Sequence, residues 1–146
     1  MDQEAIKLYT IGKITLSEFE ARNKEVVNEF KKYVDLNGFP FKNKENYEVY
    51  KAGVALSLHA DFDFLKNIEG IFKNANISEI DQDHLAYFVD KIRVYENKPQ
   101  LYGTQFKRLP DNSIEFLPIE DEKNVDNRRA EIGLITLNQY KKFAES

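Results

Sequence analysis

The chain has 146 residues, a formal net charge of −4, no Cys, two His, and 42% apolar residues that include eleven Phe and eight Tyr. That is the length of one ordinary domain, with enough apolar material for a sizeable core. It excludes disulfides, thiolate metal sites and cysteine nucleophiles, and its mixed charges give no general attraction to nucleic acid or anionic membranes.

In chain order, a short helix is expected over Gln3–Tyr9. Thr15 and Glu18 then have capping-box spacing, and Leu16, Phe19, Val26, Val27, Phe30, Tyr33 and Val34 recur at roughly helical period. Gly38 and Pro40 should end this helix. Asn43 is placed to cap a second helix over Lys44–Leu58, where small Ala52, Gly53 and Ala55 would let another helix approach. A break near His59 is expected, with Asp61 capping a third helix to about Asn74. Ser78 or Asp81 should begin a fourth, ending near Asn97. The runs Leu101–Phe106 and Ser113–Leu117 are β-prone and flank Leu109-Pro110-Asp111-Asn112, which is turn chemistry, so they predict a hairpin. Asn124 should cap a short helix over Val125–Ile132 closed by Gly133, and Thr136 with Gln139 should start the last. The fold class is therefore mainly α (α+β): a helical bundle with one C-terminal β-hairpin, in a single domain over 1–146.

The familiar catalytic and cofactor fingerprints are missing: no Gly-rich phosphate loop, nucleophile elbow, His-Glu-x-x-His or calcium loop is present. No cofactor and no metal site are expected, because two His distant in sequence and no Cys cannot complete a structural zinc site. The acidic start Met1-Asp2-Gln3-Glu4 and the short apolar runs point to a cytoplasmic protein with no membrane span.

His59 follows Val54-Ala55-Leu56-Ser57-Leu58 and should be at least partly buried. With Asp61 or Asp90 to orient one ring nitrogen, the other would serve as general acid or base. The plainer alternative is a structural histidine, with Asp61 only a helix cap. His84, at an acidic helix start, reads as solvated surface. Asp90 and Arg93 have the spacing of a surface ion pair, or Arg93 could fork an anion. As a strand, Gln100, Tyr102 and Thr104 would share one face, and Leu101, Gly103 and Gln105 the other. Arg128 and Arg129 cannot face the same way, so one could turn inward to an acidic partner or anionic ligand while the other stays wet; the plainer alternative is a salt bridge that pins the C-terminal helix to the body.

These segments together resemble a family of small bacterial proteins classed as a domain of unknown function. The motifs that carry the resemblance are Gly38-Phe39-Pro40, His59-Ala60-Asp61, Asp90 with Arg93, Gln100-Leu101-Tyr102-Gly103-Thr104-Gln105, Pro118-Ile119 with Asp121, and Val125-Asp126 with Arg128-Arg129. They cover roughly residues 37–140 in order. In this chain Lys91 and Ile92 separate Asp90 from Arg93, and Phe39 stands where the family commonly has Trp. The resemblance implies no particular reaction, but it groups His59, the Gln100–Gln105 segment and the Arg pair as one constellation.

Two functions fit. One is a small hydrolase or proton-transfer enzyme acting on an anionic small molecule. There His59 is the acid or base and Tyr102, Thr104, Gln105 and an Arg converge with it on one concave site. The other is a non-catalytic interaction or immunity-type module, in which the same residues form a structural polar network.

Overall fold

The structure, a computed structural model, describes residues 15–146. The helix expected over Gln3–Tyr9 lies outside the described residues. The chain divides into two compact units, Met1–Ile71 and Phe72–Ser146.

In the first unit, α1 (Leu16–Asn37) opens with the full Thr15/Glu18 capping box. The Thr15 hydroxyl accepts from the Glu18 amide at 3.2 Å, and the Glu18 carboxylate accepts from the Thr15 amide at 2.8 Å. Gly38 ends the helix at φ 79°, ψ 174°, a conformation essentially restricted to glycine. Asn43 then accepts from the amides of Glu45 and Asn46, forming a turn, and α2 (Tyr47–Leu58) begins one turn later than expected. Gly53 is the close-approach point: a Cβ there would lie 3.1 Å from the Phe30 ring and 3.2 Å from the Phe39 ring. Ala52 and Ala55 are exposed. The expected break falls at His59, and α3 (Phe62–Asn74) is capped by Asp61, whose Oδ1 accepts from the Phe64 amide at 3.0 Å. Val27, Val34, Phe39, Tyr50, Val54, Phe64, Leu65 and Ile68 form the buried core of this unit. Phe30 meets Phe39 and Phe64 edge-on.

The second unit takes in the end of α3, then α4 (Gln82–Tyr95), β1 (Phe106–Arg108), β2 (Ile114–Phe116), a 3-10 turn, α5 (Val125–Glu131) and α6 (Leu137–Glu145). Phe72 packs edge-on against Phe88 at 4.9 Å. The two strands pair antiparallel, with Phe106 opposite Phe116 and Arg108 opposite Ile114. Tyr140 from α6 lies 6.2 Å from both Phe106 and Phe116. The Thr136/Gln139 capping box is present, and Gly133 follows α5 at φ 75°.

The hairpin exists but is shorter than its β-prone sequence suggests. Residues 101–105 are not a strand, and Gln100 makes only an isolated bridge to Ile119. The two-faced alternation expected for Gln100–Gln105 therefore does not occur. The cause is a competing acceptor: the amides that a strand would offer to a neighbour are taken by the Asp90 side chain. Among the described residues, six α-helices accompany this one hairpin, so the chain is mainly α. None of those helices is long and apolar enough to cross a membrane.

Candidate functional site

Asp90 projects from α4 and is fully buried. Its Oδ1 accepts from the Leu101 amide at 2.7 Å and the Tyr102 amide at 3.0 Å. Its Oδ2 accepts from the Thr104 amide and the Thr104 hydroxyl, both at 2.9 Å. Three amides from four consecutive residues, all aimed at one carboxylate, require the backbone to fold around a point. Gly103, at φ 70°, makes that bend. A side chain at Gly103 would also meet Leu137 Cδ1 at 2.6 Å, so both conformation and space demand glycine.

Gln100, likewise fully buried, holds the ends of the loop. Its amide nitrogen donates to the carbonyls of Gln105 and Leu117, each at 2.8 Å, and its amide oxygen accepts from the Gln105 backbone at 2.8 Å. Gln105 turns its own side chain to the Thr104 hydroxyl. Arg129, 2% exposed, donates to the carbonyls of Tyr102 at 2.5 Å and Ile135 at 2.6 Å, with its guanidinium 5.1 Å from the centre of the Tyr140 ring. Arg128 donates from Nε to the Leu101 carbonyl at 2.9 Å and from its terminal nitrogens to the carbonyls of Glu120 and Asp121. Both arginines therefore hold backbone carbonyls. Arg93 does not pair with Asp90: it donates to the Pro99 carbonyl at 2.6 Å and forms an ion pair with the Glu120 carboxylate. Among the described residues no buried side-chain nitrogen or oxygen lacks a partner.

Burial sets the electrostatics here. It pushes the Tyr140 phenol up to about 12, and it raises Tyr102, with the Asp90 and Glu131 charges adding to the effect. Burial also lowers the Arg129 pKa, yet a guanidinium starts so high that it stays charged at neutral pH.

His59 and Asp61 belong to the first unit. His59 is exposed rather than partly buried. The apolar residues before it suggested burial, but helical phase decides. The buried face of α2 is Tyr50, Gly53, Val54 and Ser57, and His59, still α-like at φ −100°, ψ −1°, comes about 200° round from Ser57. It lines a cavity of about 310 Å³ with Glu20, Asn23, Lys24 and Asn28 of α1, Asp61, and apolar Val27, Leu56 and Ala60. Asp61 serves as a cap and an ion-pair partner, its Oδ2 lying 2.5 Å from Lys31 Nζ. That hydrogen bond from Lys31, followed by the one from the Phe64 amide, holds its carboxyl below the usual range.

A family model described as a family of unknown function, DUF6624, matches residues 22–146. The chain belongs to DUF6624. No curated protein and no solved structure matches it. The match takes in both units of this DUF6624 chain: the His59 cavity apart from Glu20, and the whole Asp90 network.

Two features escaped sequence reasoning. The polar wall of the cavity is a stripe on α1, Glu20, Asn23, Lys24 and Asn28, whose i, i+3, i+4, i+8 spacing was available in the sequence. His84 is half-buried rather than solvated. Its side chain is 15% exposed, with Nδ1 3.8 Å from the Asp81 carboxylate and its ring beside Tyr87. Asp81, Asp83 and His84 bring one ligand atom each to within 4.8 Å of one another, a spacing a metal ion could span.

Proposed function

We propose that this DUF6624 chain binds a small polar molecule in the cavity of its first unit, with His59 as the group that exchanges a proton with it in a hydrolytic or proton-transfer step. The observation that carries this reading is an imidazole on the wall of a cavity of about 310 Å³, at the lower end of the size range of small-molecule sites. Asp90, Gln100, Thr104, Arg128 and Arg129 are structural in this reading, because their polar atoms already hold the Gln100–Gln105 loop. The lack of Cys and the net charge of −4 support a reducing, cytoplasmic setting, taken here as bacterial.

The saturation of that network favours one other reading, a non-catalytic interaction or immunity-type module. A thermal-shift screen of the intact chain against a metabolite library separates the two. A ligand present at about 100 times its Kd stabilises the native state by about 2.7 kcal/mol, or several degrees in a chain of this size. His59→Ala should abolish that shift while leaving the unliganded melting temperature nearly unchanged, since the residue is exposed. A ligand shift that survives His59→Ala, or a variant that merely melts early, refutes the role given to His59.

A further inference from the structure

The α1 wall of the cavity carries opposite charges one helical turn apart, Glu20 and Lys24, with the Asn28 amide one turn further on. Side chains at i and i+4 have Cβ atoms about 5–6 Å apart, close enough to pair with each other. Nearby charges do pair: Lys32 with Glu29 at 2.7 Å on the same helix, and Lys31 with Asp61 at 2.5 Å. Among the described residues, Glu20 and Lys24 enter no such pair. The Lys31 ammonium already balances the Asp61 carboxylate, so the uncompensated charges facing the cavity are one carboxylate and one ammonium, beside the His59 imidazole.

A simple anion bound here would meet Lys24 but face Glu20 across the same wall. A simple cation would meet Glu20 and face Lys24. A molecule carrying both an ammonium and a carboxylate satisfies the two together. We infer that the cavity takes a zwitterion of the amino-acid class, a free α-amino acid or a dipeptide, with its ammonium on Glu20 and its carboxylate on Lys24. This rests on the reading of the cavity as a ligand site. The neutral Asn28 amide, one turn beyond Lys24, suits a polar part of the ligand that extends past its carboxylate.

The test titrates the intact chain by calorimetry with the free amino acids and a set of dipeptides. Each hit is then compared with its N-acetyl and C-amide forms, and inorganic phosphate serves as a purely anionic probe. One zwitterion should bind, and blocking either terminus should weaken it at least about tenfold. Glu20→Gln should weaken the free form and remove the penalty for N-acetylation. Lys24→Gln should do the same for C-amidation. Both residues are exposed, so each variant should keep the wild-type circular dichroism and melting temperature. If phosphate or a blocked form binds as well as the zwitterion, and His59→Ala abolishes that binding, the cavity is a ligand site and the zwitterion inference is wrong. If no probe binds and the metabolite screen is also silent, the underlying reading fails with it. If Glu20→Gln and Lys24→Gln change only helix stability, the two charges are an ordinary i,i+4 pair and the inference is overturned.

Discussion

Replacing Asp90 with Ala should cost the protein much of its stability. Asp90 is fully buried and receives three backbone amides and one hydroxyl at 2.7–3.0 Å. Truncation strands those donors in a buried loop. An orphaned buried donor costs about 1–3 kcal/mol, and removing one side of a buried charged network costs about 3–5 kcal/mol. The expected loss is thus about 3–5 kcal/mol, a large share of the roughly 5–15 kcal/mol typical of a domain. Asp90→Asn keeps the oxygen that serves Leu101 and Tyr102 but turns an NH₂ toward the Thr104 amide, so it should cost less, about 2–3 kcal/mol. Thr104→Val removes one hydroxyl and should cost about 1 kcal/mol. Urea denaturation of the three variants gives the order. Amide hydrogen exchange gives the location: the amides of residues 101, 102 and 104 should be protected in the wild type and exchange fast in Asp90→Ala. An Asp90→Ala protein within about 1 kcal/mol of wild type, or one whose loop amides stay protected, would refute the assignment of this carboxylate as the organiser of the loop.

Two further outcomes are expected. Gly103→Ala combines φ 70° with a Cβ 2.6 Å from Leu137 Cδ1 and should destabilise by about 2–4 kcal/mol in the same denaturation assay; a neutral substitution would contradict the geometry. Asp61→Asn keeps the cap oxygen but removes the charge opposite Lys31, a pair that is half exposed and so worth at most about 1 kcal/mol. Because the folded-state pKa of Asp61 is depressed from an ordinary 3.8, its contribution is present above that value and lost as pH falls through the lower folded value. The wild type should therefore exceed the variant at neutral pH and lose that margin below pH 3.8, and a margin that persists or grows on acidification would count against the ion pair.

What was legible in the sequence was local. Thr15 with Glu18, and Thr136 with Gln139, announced their helix starts because a capping box is complete within four residues. Asp61 as a cap and the break at His59 were readable for the same reason. The hairpin turn was marked by Pro110-Asp111-Asn112, with Asn112 at φ 69°. Leu101–Gln105 misled because strand propensity records only side-chain preference. The carboxylate that claims its amides stands 11 to 14 residues earlier, on a helix. His59 misled because the apolar residues before it say nothing about phase: two positions past buried Ser57 is the far side of the turn. One of Arg128 and Arg129 was expected to turn to an acidic partner or an anion; the buried one, Arg129, holds carbonyls instead, and Arg128 holds carbonyls with the Asp121 carboxylate 4.0 Å away, since a loop without a ladder leaves its own acceptors to be satisfied.

That borrowed satisfaction has a consequence for how the second unit folds. The Gln100–Gln105 loop is tied to Arg128 and Arg129, each 27 residues from its partner, and to Tyr140, 36 residues away. Its amides can reach Asp90, 11 to 14 residues earlier, but its carbonyls wait for these distant partners, and loop closure must be met in entropy before any of those ties forms. During synthesis the loop's carbonyls can be satisfied only after the guanidinium groups of α5 have cleared the ribosome, so the carbonyls of Leu101 and Tyr102 should be among the last acceptors to be satisfied.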